Sequence, residues 1–233
     1  MIPKPTQRQR QARRRRNVAF KAFENAEHTY SIAVLDDLTA SVLAAFPTAT
    51  HLKFQHFPDR SAILHGVWGR ADAEITCLQS RTDFASDAHP TFDLDEAEAE
   101  LRECLAPLES VAWMSVRPDF EPGALFTLDL PPENRALAIA EFVRADYDNA
   151  SALVLDYGYE QPHLVQVLAG TEDGYKVLAA SRHNHPLSTL FNAPTVKAIA
   201  RLARQLRYVP SAPLHDEFKS HGRSLTVLTL PTA

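Results

Sequence analysis

Three glutamates, Glu96, Glu100 and Glu103, fall at i, i+4 and i+7 in the segment DLDEAEAELREC, and Lys197, Arg201 and Arg204 repeat that spacing 101 residues later with the opposite charge. On a helix each triplet lines one face. Carboxylates so placed attract cations, and guanidinium groups grip carboxylates or phosphates, bidentately where the geometry allows. Glu96, Glu100 and Glu103 are therefore candidate partner-binding residues. Lys197, Arg201 and Arg204, with Arg207 beside them, are candidate polyanion contacts. A sharper expectation is that one stripe attracts the other, within the chain or head to tail between copies, which would make a homo-oligomer. The plainer one is two solvated faces whose charges add little stability.

A denser basic group stands at the front. The run QRQRQARRRRN places six arginines in eleven residues. Residues 1–21 hold eight basic groups and no acid, so the other residues carry 16 basic against 29 acidic groups, a balance of -13 in a chain whose net charge is -5. Arg8, Arg10, Arg13, Arg14, Arg15, Arg16 and Lys21 are expected to associate with DNA, RNA or another polyanion by neutralising charge, without reading sequence. From Gln7 to Phe46 there is no proline or glycine. The first helix is thus expected to run back into this tail, with its outer turns frayed by arginine repulsion when nothing is bound.

Other chemistry is sparse. Ser80-Arg81 and Ser181-Arg182 recur at matching positions, and Arg81 and Arg182 are candidates for clamping a partner's carboxylate or phosphate or for tying a strand end to its loop. His183 and His185 are two apart, but no carboxylate or cysteine stands close by to complete a metal site, so neither metal nor cofactor is expected. His51, His56 and His65 have no histidine counterparts and are expected on the surface or facing a partner. Cys77 and Cys104 lack a C-x-x-C spacing and read as reduced, buried apolar residues. No G-x-S-x-G, H-E-x-x-H, phosphate-loop or dinucleotide fingerprint occurs, and seven glycines argue against phosphate-cradling loops. An enzyme or metal-dependent protein is the third-ranked expectation.

The elements that must position these residues come in two copies. Sliding the sequence against itself by 101 residues gives twelve identities in 74 ungapped pairs, among them Val42/Val143, Leu52/Leu153, Leu101/Leu202 and Leu105/Leu206. Chance gives about five or six. The match resumes at a shift of 100, where ALFTLDLPP aligns with SLTVLTLPT. Each copy reads as a helix, three strands, a second helix and a closing strand, with residues 111–116 adding a further strand to the first copy. Gly69/Gly170 and Asp72/Asp173 fall in a hairpin link, where glycine would supply positive φ and aspartate would cap the turn.

The expected fold is α+β, a tandem duplication of an α-β-β-β-α-(β)-β unit with antiparallel sheets, helices on one sheet face and a pseudo-twofold arrangement. Its divisions are a basic tail over 1–31, an acidic first repeat over 32–131 and a neutral second repeat over 132–233. Residues 32–130 hold 6 basic and 17 acidic groups, whereas residues 131–233 hold 10 of each. The order of elements is similar to that of double-stranded RNA-binding domains, although the acidic DLDEAEAELREC replaces their basic second-helix start. It is closer to that of type III secretion chaperone-like domains, a resemblance that implies binding of another polypeptide. The longest apolar runs are strand-sized, so a soluble, cytoplasmic protein with no membrane partner is expected. Usage rich in Ala, Arg and Asp points to a GC-rich bacterial genome. The functional expectation is a non-enzymatic adaptor or chaperone-like module with a polyanion-binding tail. The alternative is a nucleic-acid-binding protein proper, using the tail and the 197–207 helix.

Overall fold

The computed structural model describes residues 6–57, 59, 61–77, 92–106, 111–118, 125–158, 162–172, 174–180, 191, 193–220 and 223–232. The first copy contains α1 (Gln7–Ala45), β1 (His51–His56), β2 (Ala62–Trp68), β3 (Glu74–Cys77), α2 (Leu94–Leu105), β4 (Val116–Pro118) and β5 (Leu125–Asp129). The second contains α3 (Arg135–Arg144), β6 (Ala152–Asp156), β7 (His163–Thr171), β8 (Gly174–Ala180), α4 (Ala193–Leu206), β9 (Leu214–Ser220) and β10 (Arg223–Thr229). The sheets run β3-β2-β1-β5-β4 and β8-β7-β6-β10-β9, so the two copies share one topology. Every pairing in both is antiparallel.

The repeat extends to single hydrogen bonds. Phe46 N–H donates to Val42 O and Ala49 N–H to Phe46 O; Tyr147 donates to Val143 and Ala150 to Tyr147 in the same way. Thr50 N–H reaches Trp68 O at 2.8 Å, and Ser151 N–H reaches Leu168 O at 2.8 Å. Each helix thus ends, and each sheet begins, by the same local geometry. Leu52 and Leu153 sit at the middle of equivalent strands and are both fully buried. Leu52→Ala and Leu153→Ala are each expected to cost about 3 kcal/mol. Urea unfolding checks this, and a large cost at one site with almost none at the other would contradict equivalent cores.

The ungapped shift of 101 describes the helices and the first strand of each copy, but not the other strands. Leu52 pairs with Val67 and Leu153 with Val167, a shift of 100 in the second strand. Val67 pairs with Thr76 and Val167 with Ala179, a shift of 103 in the third. The cause is hairpin length: the second copy continues its ladder to Thr171↔Gly174, where the first turns through a short 3-10 segment at Arg70–Asp72. Gly69 and Gly170 are consequently not equivalent. Gly69 has φ -96, and among the described residues the positive-φ positions are Ala71 and Gly174 instead. Asp173 lies outside the described residues. Residues 111–115 form a 3-10 turn, with strand pairing beginning at Val116. The second copy also has the extra strand, β9, whose LHDEFKS carries the charges typical of an edge.

The copies meet through their helical sides. Arg135, at the start of α3, is the counterpart of Val34 in α1, and its guanidinium grips the Asp36 carboxylate. The first helices of the two copies therefore touch at matching levels, as a twofold relation requires. Arg135 Nε also donates to Gln205 Oε1 at 2.8 Å, and Gln205 Nε2 donates to Ser115 Oγ at 2.7 Å. Tyr208 and Val209, just past α4, pack against the first copy's core.

Candidate functional site

α1 is 39 residues long, about 58 Å at helical rise. Its start is fixed by a capping box: Thr6 Oγ1 accepts from Gln9 N–H at 3.3 Å, and Gln9 Oε1 accepts from Thr6 N–H at 2.8 Å. From Thr6 to Phe23 every residue is exposed, and burial begins in earnest at Ser31. The N-terminal half therefore projects from the body as an arm. Arg8, Arg10, Arg13, Arg14, Arg15, Arg16 and Lys21 all lie on it.

Helical spacing sorts these cations onto different sides. Arg10, Arg14, Asn17, Lys21, Glu24 and His28 follow the 4-3-4-3-4 pattern of one face, with Arg13 beside it. At the base of that face His28 meets the Tyr208 ring edge-on, with centroids 4.8 Å apart. This basic face thus runs toward the C-terminal end of α4, where exposed Arg207 lies over the Tyr157 ring at 5.2 Å. Arg8 and Arg15 lie on the other side of the arm.

The α4 cations occupy unlike surroundings. Lys197 is exposed, Arg204 is half-buried, and Arg201 Nη1 donates to Asp129 Oδ2 at 2.5 Å. Asp129 also receives Arg117 at 3.3 Å. Arg201 therefore ties α4 to β5 across the copies, a structural use of a residue whose sequence position suggested polyanion contact.

The acidic stripe faces α1. Tyr30 donates its hydroxyl to Glu103 Oε1, and this hydrogen bond raises the phenol pKa. Glu96 and Glu103 are exposed, while Glu100 is half-buried. Desolvation raises the Glu100 pKa, and the charges of Glu96, Asp37 and Glu103 push it further. A carboxyl whose pKa rises on folding lends stability that is full below the unfolded value and lost as pH climbs through the folded one. Glu100→Gln should accordingly raise the melting temperature at neutral pH and leave it unchanged below the ordinary value of 4.5. Thermal melts across pH read this directly; a loss of stability at neutral pH would contradict it. The two opposite stripes engage separate partners: Glu103 holds Tyr30 and Arg201 holds Asp129.

Arg81, Arg182, Ser80, Ser181, His183 and His185 lie outside the described residues. His51, expected on the surface, is buried; it stacks on Trp68 and its Nδ1 lies 3.0 Å from Thr50 Oγ1. Its strand position places it over the sheet face that Trp68 covers. His56 packs edge-on against Trp113, and His65 is half-buried. Cys104 is buried, and burial pushes its thiol up to about 12. Among the described residues no three His, Cys, Asp or Glu side chains are grouped to hold a metal ion, and no helix is long and apolar enough to cross a membrane.

Two features escaped the sequence. The Phe46–Phe92 contact recurs as Tyr147–Phe191, with centroids 5.3 and 5.4 Å apart, but its second members are related by a shift of 99, not 101. Glu98, within the acidic run, is buried and accepts Leu64 N–H at 3.1 Å beside the β1–β2 bulge. Comparison of the chain with protein-family models, with curated proteins and with solved structures found no match.

Proposed function

We propose that the protein is a non-enzymatic adaptor whose basic arm associates with nucleic acid while its duplicated body engages another protein. The observation that carries the arm's role is the helix of residues 6–23, exposed at every position, which bears six arginines and Lys21. A helix of this width enters a nucleic-acid groove or follows a phosphate backbone, and backbone contact needs only positive charge at helical spacing. The face bearing Arg10, Arg13, Arg14 and Lys21 continues toward Arg207, so the footprint extends onto the end of α4. Support for a protein-binding body comes from β8, an edge strand that exposes Tyr175 and Val177 beside Lys176. An extended peptide adds to such an edge through main-chain hydrogen bonds.

Fluorescence anisotropy with labelled duplex and single-stranded DNA and RNA tests the arm. Binding that weakens steeply with salt and varies little with sequence is expected. Equal affinity before and after removal of residues 1–21 would end this reading.

A further inference from the structure

One face of α1 is complementary to itself. Taken at helical spacing, Arg8, Ala12, Arg15, Ala19, Phe23, Ala26, Tyr30, Ala33 and Asp37 form a single stripe, and all nine are exposed. The stripe is basic at its N-terminal end, apolar in the middle and acidic at its C-terminal end. There Glu103 is bound to Tyr30, and Glu100 lies close enough to Asp37 for their charges to interact. Phe23 and Tyr30 are 59% and 54% exposed, large apolar surfaces that the described residues leave uncovered.

We infer that the occupant of this face is a second copy of the chain, its α1 laid antiparallel on the first about a twofold axis between Ala22 and Phe23. In that register position i faces position 45 minus i. Arg8 then faces the partner's Asp37, Ala12 the partner's Ala33, Arg15 the partner's Tyr30 beside its Glu103, and Ala19 the partner's Ala26. Eight of the nine stripe residues thus face one another in pairs, Phe23 lies over the partner's Ala22 at the axis, and the same contacts recur on the far side of the axis, as an isologous interface demands. Alanines at 12, 19, 26 and 33 let the helices approach closely, and the two Phe23 rings fill the centre. The packed part of each body begins near His28, so the bodies stay about 16 Å apart along the helix axis and leave the helices room to pair.

Two features of the single chain favour this partner over others. A projecting helix that buries nothing is marginal in water, and arginines at its positive pole make it more so. Pairing supplies the missing contacts. The body's acidic track, meanwhile, gathers Asp37, Glu96, Glu100 and Glu103 with no basic group of their own stripe among them. The partner's Arg8 and Arg15 bring the opposite charge. The nucleic-acid face of the arm points the other way, so this inference stands apart from the proposed function.

Analytical ultracentrifugation of nuclease-treated full-length protein is expected to show a dimer of the 25.9 kDa chain, weakened by salt. Phe23→Glu should weaken it on the order of 100-fold or more, since the change enters twice at the centre. Charge exchange guards against a mere folding defect. Arg8→Glu/Arg15→Glu and Asp37→Lys/Glu103→Lys should each be monomeric alone and form a heterodimer when mixed. Ala19→Cys mixed with Ala26→Cys should give a disulfide between copies. A monomer at all concentrations, failure of the mixed variants to associate, or Ala19→Cys cross-linking only to itself would overturn the inference.

Discussion

Asp36→Ala is expected to destabilise the protein by about 3 kcal/mol, and by more than Arg135→Met does. The asymmetry comes from exposure. The Arg135 side chain is 4% exposed, whereas that of Asp36 is 43% exposed. Removing the aspartate strands a guanidinium in the seam between the copies, with Gln205 as its remaining acceptor among the described residues. Removing the arginine leaves a carboxylate that water solvates, and methionine keeps most of the buried volume, so the expected cost is only about 1 kcal/mol. The guanidinium also orders Gln205, which is itself fully buried and holds Ser115. Loss of Asp36 should therefore loosen both first-helix contacts and the α4 seam, and unfolding should broaden or split into two steps. Urea titration followed by far-ultraviolet circular dichroism and tryptophan fluorescence separates the copies, because Trp68 and Trp113 are both in the first. An Arg135→Met cost above that of Asp36→Ala would refute the argument.

That seam illustrates which parts of the molecule the sequence makes legible. The four long helices follow from apolar spacing and from an absence of breakers, and Pro47 marks the close of α1. Leu52/Leu153 and Leu101/Leu202 reveal the duplication because a core residue cannot change size without cost, so its identity persists. The strands between them obey weaker constraints. A hairpin tolerates residues gained or lost at its turn, and the copies drifted to shifts of 100 and 103 while the core stayed in place. The same drift hid the Phe92/Phe191 pair. β9 leaves no sequence signature because HDEFK carries the charges of an outer edge, which erases apolar alternation.

The candidate site divides along similar lines. The arm's charge is visible in composition, and its helicity in the lack of glycine and proline. Its two faces emerge once a continuous helix fixes the spacing from Arg8 to Asp37. Arg135, Asp36, Gln205 and Ser115 gave no signal, since single polar residues 70 to 99 positions apart meet only through the packing of the copies. The inverted stripes gave a signal that geometry redirected: Arg201 holds Asp129, and the acidic stripe turns toward α1.

Replacing Arg10, Arg13, Arg14 and Lys21 together by glutamine should lower affinity for nucleic acid on the order of 100-fold at moderate salt, with little effect on stability. The four groups share the face that runs toward Arg207 and are all exposed, where substitutions change stability little. Four neutralised phosphates imply a slope of log affinity against log salt of about -3.6, or about a 100-fold fall between 50 and 200 mM. The quadruple variant should lose most of that slope. Arg8→Glu/Arg15→Glu should retain it, because those residues face the partner helix, so salt dependence and oligomeric state become separately switchable properties of one helix. If instead the slope follows Arg8 and Arg15, the arm presents its other side to the polyanion and the division of its faces is wrong. If it is insensitive to every arm substitution but falls with Lys197→Gln and Arg207→Gln, the phosphates lie on α4, and the arm serves assembly alone.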